Sequence, residues 1–393
     1  MANHPLGKNI LVIGACGGVG RAFLRTLGRD RGRLGKLVLV DKQDPLHDDR
    51  ILSHQELDCE FLKATIDVDE RQDDYLRLLK TRCIDIVIDL SVNETRAMLA
   101  VTDRAGVSTI NTGVANRPGE NFSEVVLDLV KRKTSSWNAP HILCSGMNPG
   151  IVNMWVRRGI EKSGVPQSIV HFEYDTGQPV DGGAPIIAWS RETFLDEIVN
   201  DPAGYVEGRD KITLVQPNPL KNRISMEEVL RPIMNLSVYP RGFLLLHEEN
   251  ITLGQQYDVP SRFLFSLEMR TMDYLEEVYD KNNEVPPGTL ALGDNRKVLL
   301  KGEATVGVCL EYESTREYFF NTTAQGAIPG VSGSCRQVAA GLYAALITVI
   351  EDPLANRVYF VEDLLGTTCE RLMMENLPMQ KAVFRKSPSR PPF

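Results

Sequence analysis

The chain has 393 residues and a formal net charge of −8, from 44 Lys and Arg against 52 Asp and Glu. Its 42% hydrophobic and 24% charged residues are typical of a globular protein. Its length predicts two domains, with three as the alternative. The acidic balance argues against a general nucleic-acid binder, which would show a basic face. The sequence contains no run of about 18 consecutive apolar residues, the length that would predict a membrane helix.

The seven cysteines are scattered along the chain and show no CxxC spacing. This usage favours reduced thiols over a disulfide scaffold or a zinc site. The N-terminal sequence also lacks the pattern of a secretory signal. We therefore expect a cytoplasmic protein that binds no nucleic acid, no membrane and no metal.

The first 150 residues alternate between short apolar strands and amphipathic helices. We predict strands at residues 8–13, 36–40, 84–90, 108–111 and 141–144, and helices at 19–28, 73–82, 95–105 and 123–133. This alternation predicts an α/β domain with a Rossmann-type, doubly wound parallel sheet. We place that dinucleotide-binding domain at residues 1–147.

The pattern changes after residue 147. A predicted helix at 151–163 is followed by predicted strands at 168–174, 212–216, 241–247, 263–270, 297–302 and 304–312. They predict a second, α+β domain at residues 148–330, built on a mainly antiparallel sheet. We expect a C-terminal helical segment, 331–383, to pack back on the first domain. The polar, proline-rich residues 384–393 predict a loose tail.

A glycine-rich turn follows the first predicted strand and opens the first helix. It comprises Gly14, Gly17, Gly18, Val19 and Gly20. A pyrophosphate can approach the backbone of such a turn closely, and a helix N-terminus favours its negative charge. Asp41 ends the second strand, where a carboxylate bonds ribose hydroxyls and favours NAD over NADP. Lys42 leaves NADP open, and a structural turn without a ligand is the alternative.

Ser91 and Asn93 directly follow the predicted strand 84–90. The carboxyl ends of strands line the ligand crevice of an open α/β sheet, so both side chains are candidate cofactor contacts. The alternative is that they cap the helix predicted at 95–105. The two roles can hold together.

Four further stretches carry a family resemblance. They are CSGMNPG at 144–150, FEYDT at 172–176 with IAWS at 187–190, RGFLLLHEENIT at 241–252, and CRQVAAGLYAALITVIEDP at 335–353. The first resembles the Gly-x-Asn-Pro-Gly turn of saccharopine dehydrogenase-like proteins. In this order, the four look most like stretches of bacterial homospermidine synthases, and the resemblance covers residues 8–365.

The resemblance implies a homodimeric, NAD-dependent enzyme that makes a secondary polyamine from diamines, with putrescine as first candidate and spermidine as a further one. The family oxidises a diamine to an imine, exchanges the amine with loss of ammonia, and reduces the new imine with the bound NADH. Its cationic substrate lies among acidic side chains around a tryptophan over the nicotinamide. The matching residues here are Trp189, Glu173, Glu197, His247 and Glu249, while Asn148 matches the asparagine of Asn-Pro-Gly and is assigned to the cofactor.

These residue types also suit an amine on chemical grounds. A diamine is a dication at pH 7, and it needs carboxylates and an aromatic face. A carboxylate or His247 could relay the proton that the amine loses before hydride transfer. The alternatives are structural: a core role for Trp189, a solvated strand edge for Glu173, an exposed helix for Glu197 and a structural role for His247.

The family's Glu-Pro-Trp segment is replaced here by residues 111–118, which contain neither Glu nor Trp. Two other functions therefore stay open. One is a saccharopine, lysine or carboxyspermidine dehydrogenase-type oxidoreductase with net NAD(P)H turnover. In that case arginines would bind a substrate carboxylate, with candidates Arg191, Arg209, Arg223 and Arg241. The other is a non-catalytic dinucleotide-binding protein on the same fold.

Overall fold

The structure is a computed structural model that describes residues 7–28, 31–43, 57–182, 185–187, 189–209, 211–292, 298–327 and 331–386. The chain divides into two compact units. The first is Met1–Ile151 with Cys335–Asn376, and the second is Val152–Ser334 with Leu377–Phe393. The C-terminal segment predicted at 331–383 is therefore shared between the units, because its last residues belong to the second one.

The first unit contains a sheet of seven described strands. In order across the sheet they are Val358–Phe360, His141–Leu143, Ser108–Asn111, Ile86–Asp89, Lys8–Ile13, Leu34–Asp41 and Cys59–Lys63. Every pairing between them is parallel, which confirms the predicted doubly wound sheet. The chain reverses its direction of travel between Lys8–Ile13 and Ile86–Asp89, and such a switch point is where open α/β sheets bind ligands.

Helices cover the strands of this sheet. They are Gly18–Leu27, Gln72–Thr81, Thr95–Arg104, Phe122–Arg132, most of Gly333–Glu351, and Thr368–Asn376, with 3-10 turns at Arg31–Arg33 and Val361–Leu364. One apolar cluster includes Leu11, Val38, Val87 and Met98. A separate cluster includes Leu129, Leu143 and Phe360. Strands buried in this way have nearly continuous apolar sequences, which is why their positions could be predicted.

The helix Gly333–Glu351 is long and apolar enough to cross a membrane by length and composition alone. The sequence criterion of consecutive apolar residues does not detect it, because Arg336 and Gln337 interrupt the run. In the structure, 78% of its apolar window is buried inside the protein. Burial of this extent is what a core helix shows.

The second unit contains a sheet of nine described strands. Seven follow one path: Lys211–Val215, Ala203–Gly208, Ser261–Leu267, Ser168–Asp175, Glu303–Glu311, Thr315–Ala324 and Gln380–Arg385. Arg241–Leu245 also pairs with Ser261–Leu267, and Arg223–Ser225 pairs with Arg241–Leu245. The pairing of Ser168–Asp175 with Ser261–Leu267 is parallel, and the others are antiparallel. The mainly antiparallel second domain is thereby confirmed.

The second unit also contains helices, of which three have ten or more residues and two are short. The helices are Ile151–Ser163, Arg191–Leu195, Glu227–Leu230, Glu248–Tyr257 and Met269–Asn282, with a π-helical turn at Asp196–Asn200 and 3-10 turns at Pro219–Lys221 and Pro287–Thr289. Two short ladders join Gln178–Pro179 to Leu300–Lys301 and Ile186–Ile187 to Ala291–Leu292.

The central strand Ser168–Asp175 has two chemically different faces. Val170, Phe172 and Tyr174 belong to an apolar cluster on one side of the sheet. His171, Glu173 and Asp175 alternate with them and are also buried. Because successive side chains of a strand point to opposite faces, the three titratable residues line the other face.

Several predicted boundaries were wrong. The strand predicted at 263–270 ends at Leu267, because the Glu268 carboxylate accepts the Thr271 N–H and caps a helix that begins at Met269. The strand predicted at 241–247 ends at Leu245. Of the predicted strand 297–302, only Leu300–Lys301 is one, and residue 297 lies outside the described residues.

The predicted loose tail, 384–393, also begins too early. Phe384 and Arg385 pair with Arg316 and Thr315 at the edge of the second sheet. This pairing extends ordered backbone through Arg385. Residues 387–393 lie outside the described part of the chain.

Candidate functional site

The glycine turn of the first unit is shaped by close backbone contacts. Gly14 has a φ of +80°, and a Cβ there would lie 2.8 Å from the carbonyl oxygen of Leu90. A Cβ on Gly20 would lie 2.6 Å from the carbonyl oxygen of Gly14. Gly17 is exposed, and the nearest atom to a Cβ there is 3.5 Å away. Packing therefore requires glycine at positions 14 and 20, whereas Gly17 leaves room for a ligand.

The helix that follows this turn offers its N-terminus. Gly17 is the N-cap of Gly18–Leu27. Because glycine has no side chain, no capping side chain occupies this end of the helix. The first N–H groups of a helix have no partner inside the helix and attract anions. Gly18 and Val19, in its first turn, are both half-buried, so this end suits a phosphate group.

Asp41 lies beside the turn, at the end of the strand Leu34–Asp41. Its Oδ2 accepts the backbone N–H of Cys16 at 2.8 Å, and its Oδ1 accepts that of Gln43 at 2.9 Å. Each carboxylate oxygen keeps a further lone pair for a hydroxyl. The turn, the open helix end and this carboxylate therefore fit the pyrophosphate and the ribose of a dinucleotide.

Ser91 and Asn93 lie at the carboxyl end of the strand Ile86–Asp89. The Ser91 hydroxyl donates to Asp89 Oδ1 at 2.6 Å and accepts from Asn93 Nδ2 at 2.8 Å. Burial raises the pKa of Asp89 to about 6, although the bonds from Ser91 oppose this. The N-cap of the next helix is Glu94, so the alternative role of Ser91 and Asn93 as its cap was wrong. Their contact with a cofactor stays a prediction.

Asn148 lies in the turn that closes the first unit. Gly146 and Gly150 pair across this turn, and the helix Ile151–Ser163 begins directly after it. Asn148 is half-buried. Its role toward the cofactor likewise stays a prediction.

In the second unit, His247 lies between two glutamates. It follows the strand Arg241–Leu245 and precedes the helix Glu248–Tyr257. Its Nδ1 is 2.8 Å from Glu249 Oε2, and its Nε2 is 3.7 Å from Glu197 Oε1. The ring also packs on Phe263, with centroids 5.1 Å apart. Phe263 is in turn the register partner of His171. We call the four residues His171, Glu197, His247 and Glu249 the acid–histidine cluster.

Electrostatics fix the charges in this cluster. Burial disfavours the cationic form of His247, but the carboxylates of Glu249 and Glu197 outweigh it and raise the pKa of His247 well above its ordinary value. Burial disfavours the anionic form of Glu249, but His247 outweighs it and lowers the pKa of Glu249. At neutral pH, His247 is therefore a cation and Glu249 an anion. Within the described residues, no group of three or more His, Cys, Asp and Glu side chains is arranged to hold a metal ion.

Glu197 lies in the π-helical turn Asp196–Asn200 rather than in the regular helix expected for it. π-Helical turns are frequent at functional sites. Burial and the nearby charges of Glu197 and Asp196 raise the pKa of Asp201 to about 6. Since these carboxylates repel one another, a bound cation would stabilise this part of the unit.

Trp189 and Glu173 also belong to the second unit. Trp189 is partly buried against an apolar cluster, and its ring meets Phe194 edge-on at 6.0 Å. Ring contacts continue from Phe194 to Phe265 and Phe263, and Phe263 contacts His247. Glu173 is buried, and Phe265 is its partner on the neighbouring strand. The alternative that Glu173 lies on a solvated strand edge was therefore wrong.

Comparison with known proteins identifies the fold. No family model matches the sequence, and no curated protein matches it. The solved homospermidine synthase of Legionella pneumophila, in complex with NAD, matches with a TM-score of 0.76 and 13% identity, over 96% of this chain and 91% of that chain. The chain has a homospermidine synthase-like fold. The WlbA dehydrogenase of Thermus thermophilus, with NAD and α-ketoglutarate, covers 89% of this chain and 98% of its own at 11% identity, but its TM-score is 0.35.

The structure also identifies candidate site residues that were not predicted from the sequence. His171 joins the acid–histidine cluster from the central strand, Asp201 adds a carboxylate beside Glu197, and Asp89 underlies Ser91. A signal for His171 was available, because it alternates with Glu173 and Asp175 in an otherwise apolar strand. No comparable sequence pattern marks Asp201.

Proposed function

We propose that this protein is an NAD-dependent amine oxidoreductase that makes a secondary polyamine from diamines. The observation that carries the proposal is the likeness to a homospermidine synthase in complex with NAD, which extends over 96% of this chain. The acid–histidine cluster supports it, because buried and half-buried carboxylates suit a cationic substrate.

The first unit would bind the cofactor. The N–H groups at the start of the helix Gly18–Leu27 would hold the pyrophosphate, and Asp41 would hold the ribose hydroxyls. A 2′-phosphate beside the Asp41 carboxylate would be repelled, so NAD is preferred to NADP. When bound, NAD would supply the acceptor of a hydride from the amine and the donor that returns it.

The second unit would bind the amine. Glu197 is the more accessible carboxylate of the cluster, with 20% of its side chain exposed, while Glu249 is fully buried. Glu197 would therefore hold one ammonium group, and the face of Trp189 would contact the cationic chain. Glu173, which the resemblance to homospermidine synthases implies as a further substrate acid, would hold the other. Glu249 would hold His247 in place, and His247 and Glu197 would handle the proton that the ammonium group must lose.

The proposed reaction is redox-neutral. Loss of a hydride and a proton converts the C–NH₂ group of one diamine to an imine. The amine of a second molecule adds to that imine carbon, ammonia leaves, and the returned hydride and a proton give the secondary amine. Exclusion of water would limit hydrolysis of the imine to an aldehyde.

The test is to incubate the purified protein with NAD and putrescine, with and without spermidine, and to identify the amines by mass spectrometry. We expect a secondary polyamine, released ammonia and no accumulation of NADH. Absence of any secondary amine at all pH values tested would contradict the proposal. Trp189→Ala should abolish product and keep NAD binding, whereas Trp137→Ala, in the first unit, should keep both.

One observation favours a second candidate. The buried Nε of Arg191 has no hydrogen-bond partner among the described residues, and its Nη1 donates to the carbonyl oxygen of Leu290. Arginine binds carboxylates bidentately, so a carboxylated amine could occupy this position, as in a dehydrogenase with net NADH turnover. NADH accumulation with an amino-acid substrate, lost in Arg191→Lys, would establish this function instead.

We also propose that the protein is a homodimer. The expectation rests on the resemblance to homospermidine synthases, and light scattering after gel filtration tests it. A single species of monomer mass over the whole range of protein concentrations would contradict it.

A further inference from the structure

A chain of hydrogen bonds joins three polar side chains at the carboxyl end of the strand Ile86–Asp89. The Ser91 backbone N–H and hydroxyl both donate to Oδ1 of Asp89, at 3.0 and 2.6 Å. The Ser91 hydroxyl oxygen accepts from the backbone N–H and from Nδ2 of Asn93, at 3.3 and 2.8 Å. We call Asp89, Ser91 and Asn93 the polar triad. Glu94 caps the helix that follows, so the polar triad is not needed to begin that helix.

The polar triad determines which atom of the Asn93 amide is free. An ionised carboxylate only accepts hydrogen bonds, so the Ser91 hydroxyl donates its proton to Asp89 and turns both lone pairs to donors of Asn93. The Asn93 side chain must therefore direct its NH₂ group toward Ser91. Among the described residues, none donates to Oδ1 of Asn93, which is half-buried. Asn93 thus presents an oriented and unused acceptor, whereas the Ser91 hydroxyl has no hydrogen-bonding capacity left.

This acceptor lies close to the glycine turn. The Leu90 N–H donates to the carbonyl oxygen of Ile13 at 3.0 Å, and a Cβ on Gly14 would lie 2.8 Å from the Leu90 carbonyl oxygen. Val92, which lies within the segment of the polar triad, is 70% exposed. The segment that carries the polar triad therefore follows a residue in contact with the turn and is accessible to a ligand.

The order of the strands assigns this acceptor to one half of a dinucleotide. The strand Ile86–Asp89 lies on one side of Lys8–Ile13, and Leu34–Asp41 lies on the other. A dinucleotide with its pyrophosphate at the glycine turn and its adenosine ribose at Asp41 would extend across this switch point. Its nicotinamide half would then reach the end of Ile86–Asp89, where the polar triad lies.

We propose that Asn93 accepts a hydrogen bond from the nicotinamide half of NAD, and that Ser91 and Asp89 are positioning residues that orient its amide for this contact. The inference deepens the proposed function and rests on its cofactor part, but not on the amine reaction. Two groups of the nicotinamide half can donate such a bond, the carboxamide NH₂ and a hydroxyl of the adjoining ribose. Both are uncharged donors, and either suits an amide oxygen.

Calorimetric titrations of the full-length protein with ADP, ADP-ribose and NAD, without any amine, test the contact. ADP lacks both the second ribose and the nicotinamide, and ADP-ribose lacks only the nicotinamide. At pH 8, where Asp89 is ionised, Asn93→Ala should weaken NAD binding by roughly three- to tenfold, the equivalent of one hydrogen bond. ADP binding should stay unchanged. An equal loss with ADP-ribose assigns the bond to the ribose, and unchanged ADP-ribose binding assigns it to the carboxamide.

The matched control is Asn138→Ala. Asn138 is an exposed asparagine of the same unit, and it precedes the amino end of the strand His141–Leu143. The carboxyl ends of the strands, where the cofactor is placed, are at the opposite edge of the sheet. Asn138→Ala should therefore bind all three ligands as the wild type does.

A second set of variants tests the positioning role. Ser91→Ala should weaken NAD binding, and Ser91→Ala/Asn93→Ala should lose no more than Asn93→Ala alone, because Ser91 acts through Asn93. Asp89→Leu should also weaken NAD binding, and Asp89→Asn should restore it, since an amide oxygen can accept from Ser91. If Asp89→Leu does not fold, the Ser91 variants decide the question. Losses that add in the double variant would assign Ser91 a contact of its own and overturn the positioning role.

Two results in Asn93→Ala overturn the inference. One is an unchanged NAD affinity, and the other is an equal loss for ADP and NAD, which would indicate a displaced turn and not a lost contact. Neither result affects the cofactor part of the proposed function, provided that the wild type binds NAD. A wild-type protein that binds none of the three ligands contradicts that part of the proposed function and this inference together.

Discussion

Gly17 and Gly20 belong to one turn but have different surroundings. Because a Cβ on Gly20 would lie 2.6 Å from the Gly14 carbonyl oxygen, Gly20→Ala should displace the turn and cost about 1–3 kcal/mol. Gly17→Ala should leave the free energy of unfolding unchanged, since the nearest atom is 3.5 Å from its Cβ. Thermal denaturation and NAD titration calorimetry measure both effects.

The two variants separate packing from ligand approach. NAD affinity should fall in Gly20→Ala because the turn is displaced, and in Gly17→Ala because a methyl group blocks the pyrophosphate. Unchanged NAD affinity in Gly17→Ala would show that the pyrophosphate does not approach this residue.

We expect the charge of Asp41 to decide between NAD and NADP. Asp41→Asn keeps an oxygen that can accept the Cys16 N–H but removes the negative charge. The preference for NAD over NADP should fall by roughly tenfold, the equivalent of about 1.4 kcal/mol. Parallel titrations with the two cofactors measure this ratio, and Lys42→Ala serves as the neighbouring control. An unchanged ratio would place the ribose elsewhere.

His171 should make stability depend on pH. The unfolded chain protonates this residue near its ordinary pKa of 6.5, but burial holds the pKa in the folded protein at about 4. The unfolded state thus binds the proton first, and the free energy of unfolding decreases as pH falls from 6.5 to 4. In His171→Gln this decrease should be smaller by up to about 3 kcal/mol, as measured by urea denaturation at several pH values.

Asp201 provides a comparison of opposite sign. Its pKa is raised to about 6, from an ordinary value of 3.8, so the folded protein binds this proton first and gains stability as pH falls through 6. Asp201→Asn should therefore stabilise the protein more at pH 8 than at pH 5. Equal effects at the two pH values would mean that burial and the charges of Glu197 and Asp196 do not raise the pKa of Asp201.

At the scale of elements, the start of the helix Glu248–Tyr257 stabilises the buried ion pair. Glu249 lies in its first turn, where the helix dipole favours a carboxylate, and it also contacts His247. Removing one partner of a buried pair costs about 3–5 kcal/mol, so Glu249→Gln and His247→Gln should each be strongly destabilising. The double variant should lose clearly less than the sum. Additive losses in denaturant unfolding would show that the two side chains do not interact.

The sequence could predict elements whose pattern is local. The strands of the first sheet are apolar runs bounded by glycine or polar residues, and Lys8–Ile13 and Ser108–Asn111 were predicted to the residue. Cys59–Lys63 was missed because it is half-buried at the sheet edge and has no apolar run. Ala203–Gly208 was missed because its two glycines disfavour a strand, and its pairing on both sides compensates.

The candidate site could be predicted only in part, for the same reason. His247 and Glu249 are close in sequence, so their contact is local. The position of His171 beside Phe263, on which the His247 ring packs, depends on the register of Ser168–Asp175 with Ser261–Leu267. This is a parallel pairing of segments about 90 residues apart that no local pattern encodes. The place of Glu197 depends on a π-helical turn, which periodicity does not predict.

At the scale of the whole molecule, the chain passes between the two units three times, after Ile151, Ser334 and Asn376. Neither unit is therefore one continuous segment. The last crossing leads to the strand Gln380–Arg385, which covers one edge of the second sheet. Phe384 meets Tyr318 edge-on at 5.6 Å, and Lys381 pairs with Glu317.

This edge strand gives a test of the division into units. Ending the chain after residue 379 removes the whole strand, exposes the backbone of Thr315–Ala324, and loses the packing of Phe384. The second unit should lose about 2 kcal/mol or more and self-associate through its open edge. NAD binding, which we assign to the first unit, should persist at low temperature. The matched control ends after Lys386, keeps the strand, and should behave as the full chain. Equal stability of the two truncated chains in calorimetry and light scattering would show that Gln380–Arg385 does not stabilise the second sheet.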